Sequence, residues 1–396
     1  MEAVLAYAIV LLAAVLVSGL AHRTILSTAV IFLVAGFVAG DSGLGIVSLT
    51  PEDPVVGQLA ELALFAVLFT DGMQVGLRDL RSSWRLPGRA LLLGMPLVFL
   101  VTALFARALL DVDWAEAFLI GAVLSPTDPV FASAIVGRME VPERLRRMLN
   151  VESGLNDGLA LPVVIVLISV IQEQETHVGE LLYELALGVA IGIVVPWLAL
   201  RLERARWFSA SLIYEPINTF AIGLLVFALA SLTHGNEFLA AFAAGVTVST
   251  VAPRFRDAFH HFGELIAELL KLAALFVFGA LIMTSFLTDI GLTGDLFVAL
   301  AIIVARPLVL FVVLLGSELD WRERIAAMWF GPKGFASVVY GLLILDAGIP
   351  NDDYIFHVIA IVIVVSIILH SSTDVIVANR FREAEREEAT ERPPAA

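Results

Sequence analysis

The sequence predicts an all-α polytopic membrane protein, and three observations carry that reading: composition, the length of the apolar runs, and the way arginine is distributed between them. Of the 396 residues, 59% are hydrophobic and 16% charged, whereas a soluble domain carries roughly a quarter charged residues. Apolar runs such as Leu5 to Ala21 and Tyr354 to Leu369 approach the ~20 residues that a helix needs to cross the hydrocarbon layer. Unpaired backbone groups are so costly in lipid that spanning segments must be helices or closed barrels, and runs without period-two alternation exclude the barrel.

Taken in order, hydropathy broken at charged or Gly/Pro-rich stretches gives about thirteen spans. The first two, about 4–22 and 25–40, are separated by His22 and Arg23 and end at Gly40 and Asp41. The third, 55–77, lies between Pro54 and Arg78; the fourth, 89–110, between an arginine cluster and Asp111; the fifth, 115–137, runs up to Arg138. The sixth, 146–171, stops before Glu173 and the seventh, 181–200, at Arg201. Beyond them lie 215–233, 237–252, 264–287, 295–316, 324–346 and 353–377. The first run has no basic leader and no small-residue cleavage site, and is expected to be a retained helix. The stretch 380–396 is charged and Pro-rich and is expected to be a short cytoplasmic tail without a folded domain.

Short cytoplasmic loops collect Lys and Arg, so the basic residues test the count. Alternate connections hold Arg23; Arg78, Arg81, Arg85 and Arg89; Arg138, Arg144, Arg146 and Arg147; Arg201, Arg204 and Arg206; Arg254 and Arg256; Arg322 and Arg324; and Arg380, Arg382, Arg386 and Arg392. The other connections hold Arg107 but are acidic, with Asp41, Glu52, Asp53, Asp111, Asp113, Glu173, Glu175, Asp289, Asp352 and Asp353. This places the N-terminus outside and the C-terminus inside. An odd count of about thirteen fits two inverted repeats of about six helices, near 1–172 and 215–379, joined by a linker helix at 181–200.

Several chemistries are excluded. Cysteine is absent, which removes disulfides and thiolate sites, and a net charge of -15 argues against nucleic acid. No zinc spacing, phosphate-cradling glycine loop or serine elbow is present, so neither an enzyme nor a cofactor is expected.

Ionisable residues deep in a span are functional candidates by default. The third span carries Asp71, the fifth Asp128 in Ser125-Pro-Thr-Asp-Pro129, and the sixth Glu152 and Asp157 in Glu152-Ser-Gly-Leu-Asn-Asp-Gly158. The eleventh carries Arg306 and the twelfth Lys333 in Gly331-Pro-Lys-Gly334. Pro126 and Pro129 flank Thr127 and Asp128, remove backbone donors and force a break, leaving carbonyls that can bind a cation. The twelfth span is broken by Gly331, Pro332 and Gly334 at the matching place in the second half, which is the sequence pattern of a transporter's site.

On the sixth span Ser153 and Asp157 share a face, with Glu152 and Asn156 on the adjoining one. Such oxygens suit a hard cation, whereas a carboxylate buried alone keeps its proton. Against this stand structural readings: Asp71 as an interhelical bond, and Arg306 and Lys333 as counter-charges. Lys271, following Glu264 and Glu268, reads as a snorkelling or locally paired residue. The seven histidines fall mostly at loops or helix ends and are assigned no role.

At these residues the sequence resembles the monovalent cation/proton antiporter superfamily, in its sodium/proton branch of the NhaP and NHE type. The paired motifs are Ser125-Pro-Thr-Asp-Pro129 and Asn150-Val-Glu-Ser-Gly-Leu-Asn-Asp-Gly158. The resemblance implies exchange of sodium or lithium for protons, with Asp157 alternately holding cation and proton and Asp128, Ser153 and Thr127 supplying further oxygens. Asn156 stands where electrogenic relatives carry a second aspartate, which implies electroneutral exchange, and it is implied to help control access. Glu152, grouped with the ion site, is also implied to pair with Arg306. A homodimer in a prokaryotic cell membrane is implied as well. Lys333 stands where the family motif has arginine, and Asp71 where glutamate is commoner. The competing functions are a potassium/proton antiporter, a cation channel, and an intramembrane hydrolase using Asp71 and Asp157.

Overall fold

The computed structural model describes residues 2–21, 28–50, 53–74, 85–128, 141–172, 178–203, 211–284 and 290–391, and every regular element among them is helical. Pro129, Arg23, Arg78, Arg81, Arg138, Arg204, Arg206 and Arg392 lie outside the described residues, as do Glu52, Glu173, Glu175, Asp289, His22 and His177. Among the described residues seven helices are long and apolar enough to cross a membrane, and five shorter apolar helices accompany them. The chain is an integral membrane protein.

The first helices are α1 (Glu2–Ala21), α2 (Thr28–Ala39), α3 (Pro54–Gln74), α4 (Arg85–Leu109) and α5 (Trp114–Val123). They are followed by α6 (Glu143–Ile171), α7 (Val178–Glu203), α8 (Glu215–Leu232), α9 (Glu237–Val251) and α10 (Pro253–Leu281). The last are α11 (Gly291–Val313), α12 (Trp321–Trp329), α13 (Phe335–Ala347) and α14 (Asp352–Glu391). Two predicted boundaries change. Helix α10 starts at Pro253 rather than near 264, because proline at the first helical position has no donor to lose and the polar stretch through His261 continues the helix. Helix α14 carries its helical backbone through Arg380 to Glu391.

The helices pack as two groups. Helices α1, α2, α3, α7, α8, α9 and α10 contact one another, as do α4, α5, α6, α11, α12, α13 and α14, and the groups meet where α3, α9 and α10 face α6 and α13. Lipid adds no hydrophobic drive between helices, so close approach of backbones matters most. At the α2–α10 crossing a Cβ on Gly36 would strike the Phe276 carbonyl, and one on Gly279 the Leu33 carbonyl. Exposed leucine, isoleucine and valine on α1, α7 and α11 present apolar surface outward, among them Leu16, Ile193 and Val312.

Matching features mark the two halves. Both α4 and α11 contain a π-helical turn, Ala90–Gly94 and Ala301–Ala305. In each case proline sits at the second position after it, Pro96 and Pro307, where the missing N–H disrupts the ordinary i−4 ladder. Both α5 and α12 begin with a capping box inside an Asp-Trp-x-Glu sequence, Asp113 with Glu116 and Asp320 with Glu323. Both then run into non-helical backbone.

Candidate functional site where two interrupted helices cross

The polypeptide leaves helical geometry after α5, over Leu124 to Asp128, and again between α12 and α13, over Phe330 to Gly334. Pro126 and Pro332 stand in these two stretches, so each break follows from a missing donor. The stretches hold each other: Asp128 N–H donates to the Pro332 carbonyl at 3.0 Å. The Asp128 carboxylate in turn accepts from Phe335 N–H, at the start of α13, at 3.3 Å. A carboxylate at a helix N-terminus satisfies an otherwise orphaned donor and complements the positive end of the helix.

Helix α6 brings the second set of groups. The Thr127 carbonyl, freed by the break, accepts from Ser153 Oγ at 2.6 Å and from Asn156 Nδ2 at 3.1 Å. Asn156 Nδ2 also donates to Thr127 Oγ1 at 3.0 Å. Asn156 Oδ1 is buried without a hydrogen-bond partner among the described residues. Tyr340 of α13 donates to the Asp157 backbone carbonyl at 2.7 Å. The Asp157 carboxylate is buried and makes no hydrogen bond or ion pair with any described residue. Thr127, Asp128, Ser153, Asn156 and Asp157 are thus brought together, all buried.

The site lies on the seam between the two helix groups. From α3, the partly buried Asp71 acts electrostatically on Asp157, together with Asp128 and Lys271. Among the described residues no group of three or more acidic or histidine side chains is placed to hold a metal ion.

Lys271 is the charged neighbour of this site that the sequence reading placed elsewhere. Its expected local pair exists, with Nζ 3.9 Å from Glu268 Oε2, but Nζ is also 3.9 Å from Asp128 Oδ2 and lies 5.9 Å over the Phe335 ring, in cation–π range. Lys271 is buried between these acidic and aromatic neighbours. In the sequence Lys271 stands at the start of an apolar stretch that continues to Leu281, three residues after Glu268.

Glu152 points elsewhere. Its two oxygens take the Arg306 guanidinium, Nη1 to Oε1 at 2.5 Å and Nη2 to Oε2 at 3.0 Å, with both side chains buried. Arg306 sits immediately after the π-turn of α11, which sets its direction toward α6. Lys333 is also buried; its N–H donates to Ser366 Oγ at 3.0 Å, and its Nζ has no hydrogen-bond partner among the described residues. His357 and His370 differ from expectation, since both are buried within α14. A His370 ring nitrogen lies 3.0 Å from the Trp329 carbonyl.

Glycine is required where the breaks touch: a Cβ on Gly334 would fall on the Asp128 side chain, and one on Gly331 on the Arg306 guanidinium. Gly334→Ala is expected to cost about 1–3 kcal/mol by overpacking, read as a lower melting midpoint in detergent. Gly154→Ala, where an added Cβ meets no described residue within 4 Å, should leave the midpoint unchanged or raise it.

Interrupted helices crossing beside a buried acid, in an apolar helical bundle, define the broken-helix architecture of secondary transporters. A family model described as sodium/hydrogen exchanger, transmembrane, matches residues 9–379, and the chain belongs to that family. It is 27% identical over 347 residues to the K(+)/H(+) antiporter NhaP of Alkalimonas amylolytica, covering 85% of this chain and 59% of the relative. It is 25% identical over 370 residues to the K(+)/H(+) antiporter NhaP2 of Shewanella oneidensis, covering 91% of this chain and 63% of the relative. The chain therefore spans about six-tenths of the length of these curated relatives. In fold it is similar to the sodium proton antiporter MjNhaP1 of Methanocaldococcus jannaschii, with a TM-score of 0.78 and 19% identity over 96% of this chain and 99% of that one.

Proposed function

We propose that this protein is a secondary antiporter that exchanges a small monovalent cation for protons, with the two competing for Asp157. The observation that carries the reading is the buried Asp157 carboxylate, unpaired among the described residues, beside the crossing of two non-helical stretches. Thr127, Ser153, Asn156 and Asp128 supply the oxygens around it. With a proton or a cation bound, the carboxylate is neutral; bare, it would have to cross an apolar barrier as a charge, at several kcal/mol. That penalty couples the two fluxes. The transported ions are the substrates and no cofactor takes part.

The location of the site suggests the motion. Asp157 lies on the seam between two helix groups, so movement of one group against the other exposes it alternately to the two sides. We assign about thirteen spans, with inverted repeats over 1–172 and 215–379 and a linker helix near 181–200; the paired π-turns and capping boxes support this. The arginine distribution supports an N-terminus outside, a cytoplasmic C-terminus and a cytoplasmic tail over 380–396. We assign a prokaryotic cell membrane on the resemblance and on the bacterial relatives, and a homodimer on the resemblance alone. Asn156, in place of a second acid beside Asp157, supports electroneutral exchange, one proton for one cation. The bidentate pair between Glu152 and Arg306 supports a bracing role for both, and Lys333 adds positive charge beside them.

Sodium or lithium is the proposed cation. Potassium is the second reading, favoured by the names of the curated relatives. Purified protein in liposomes carrying a pH gradient and an internal pH dye tests both. Sodium is expected to collapse the gradient, at a rate unaffected by clamping the membrane potential. Protons compete for the same carboxylate, so raising pH should lower the apparent cation KM. A gradient that potassium collapses and sodium does not would select the second reading. A gradient that no monovalent cation collapses, or a KM indifferent to pH, would overturn the proposal.

A further inference from the structure

Away from the seam, at the arginine-bearing ends of α4 and α6, a cavity of about 900 Å³ opens toward the surface. Its charged wall is Arg85 and Arg89 of α4 with Arg144 and Arg147 of α6, and its floor is the turn Gly316–Leu319 between α11 and α12. Most of the wall is fixed. Arg89 donates to the Leu315 carbonyl at 3.0 Å, and Arg144 is held by Glu323 at 2.7 Å and by the Glu318 carbonyl at 3.0 Å. Arg147 pairs with Glu143 at 2.5 Å. Arg85 and Arg89 have no carboxylate partner among the described residues, and among those residues Glu318 is the one acid lining the cavity against four arginines, so the described lining is net positive.

The other wall is apolar and faces outward. Leu92 and Leu93 line the cavity one turn along α4 and are 57% and 53% exposed. Val312 of α11 and Leu315 in the turn that follows it are exposed as well, at 54% and 52%. A charged pocket that continues into bare leucine on the flank of a spanning helix has two chemistries. Phosphate oxygens satisfy guanidinium groups, and acyl chains cover leucine.

We propose that this cavity is a binding site for an anionic phospholipid of the arginine-side leaflet, its phosphodiester on Arg85 and Arg89 and its acyl chains along Leu92, Leu93 and α11. Basic pockets between spanning helices at the membrane surface select anionic headgroups. A soluble phosphate would use the arginines and leave the leucines bare, which is why the lipid is the occupant chosen. The bound lipid would tie α4 to the α11–α12 turn, within a single helix group.

The chain contains no cysteine, so Leu93→Cys gives a single labelling position at the rim. The full-length protein carrying a fluorophore there is reconstituted into phosphatidylcholine vesicles doped with brominated phosphatidylglycerol or, at equal mole fraction, brominated phosphatidylcholine. Quenching by the anionic lipid is expected to exceed quenching by the zwitterionic one by about twofold or more. The excess should shrink in Arg85→Gln, which removes no observed bond, shrink less in Arg85→Lys, and vanish when Arg89→Gln is added. Equal quenching by the two lipids, or an excess that survives both glutamines, would overturn the proposal. So would a response of the label to millimolar inorganic phosphate in pure phosphatidylcholine, since that assigns the pocket to a soluble anion.

Discussion

Asp157→Asn is expected to lower cation-driven proton movement in liposomes at least ~100-fold, the largest functional loss of any single substitution in the chain. A bare carboxylate faces a crossing penalty of several kcal/mol, and each ~1.4 kcal/mol is tenfold in rate, so the coupling held at this one group is worth at least two orders of magnitude. The amide is permanently neutral: it crosses freely and carries neither ion nor proton. The fold should not register the change. The Asp157 carboxylate makes no bond with any described side chain, and its backbone carbonyl, the acceptor for Tyr340, is unaltered, so the melting midpoint should match the parent's. Asp157→Glu retains the charge but lengthens its arm by one methylene, and should keep a measurable fraction of the rate. Exchange above about a tenth of the parent rate in the asparagine variant would remove Asp157 from the centre of the mechanism.

The parts of this site that were legible in the sequence are those governed by local backbone chemistry. Pro126 and Pro332 each remove a donor, and glycine at 331 and 334 permits the close approach that follows, so the two interruptions can be read from the residue types alone. The spacing of Ser153, Asn156 and Asp157 on one helix is likewise local, and it delivers the first two to the Thr127 carbonyl with Asp157 next in the chain. Lys271 was not legible, because three residues away stands Glu268, a sufficient partner within its own helix. Only the crossing of α10 over the start of α13 brings Asp128 to 3.9 Å. The burial of His357 and His370 depends in the same way on what packs around α14. The repeated Asp-Trp-x-Glu starts of α5 and α12 were present as letters, yet the hydropathy of the following spans hides them. The π-turns could be suspected at Pro96 and Pro307, but proline can equally kink or end a helix, so residue type alone does not decide between these outcomes.

Those turns lead to the second large effect, which falls on stability. Arg306→Ala is expected to cost about 3–5 kcal/mol, because it leaves the Glu152 carboxylate buried without its bidentate partner. Both partners are almost wholly enclosed, 5% exposed each at the side chain, so water cannot replace the lost guanidinium. The pair also joins helices: Arg306 is placed by the π-turn of α11, Glu152 by α6, and a further Arg306 N–H reaches the Ala327 carbonyl of α12 at 3.4 Å. Arg306→Lys keeps the charge but cannot make two parallel bonds to one carboxylate, and should lose an intermediate amount. Glu152→Gln combined with Arg306→Met removes both charges, so most of the loss in melting midpoint should be recovered relative to Arg306→Ala. If Glu152 only braces the two helices, exchange returns with the fold in that double variant. If it donates an oxygen to the transported ion, the fold returns and exchange does not. A double variant that melts as low as Arg306→Ala would mean that the packing of the arginine stem, and not the buried charge pair, holds α11 to α6.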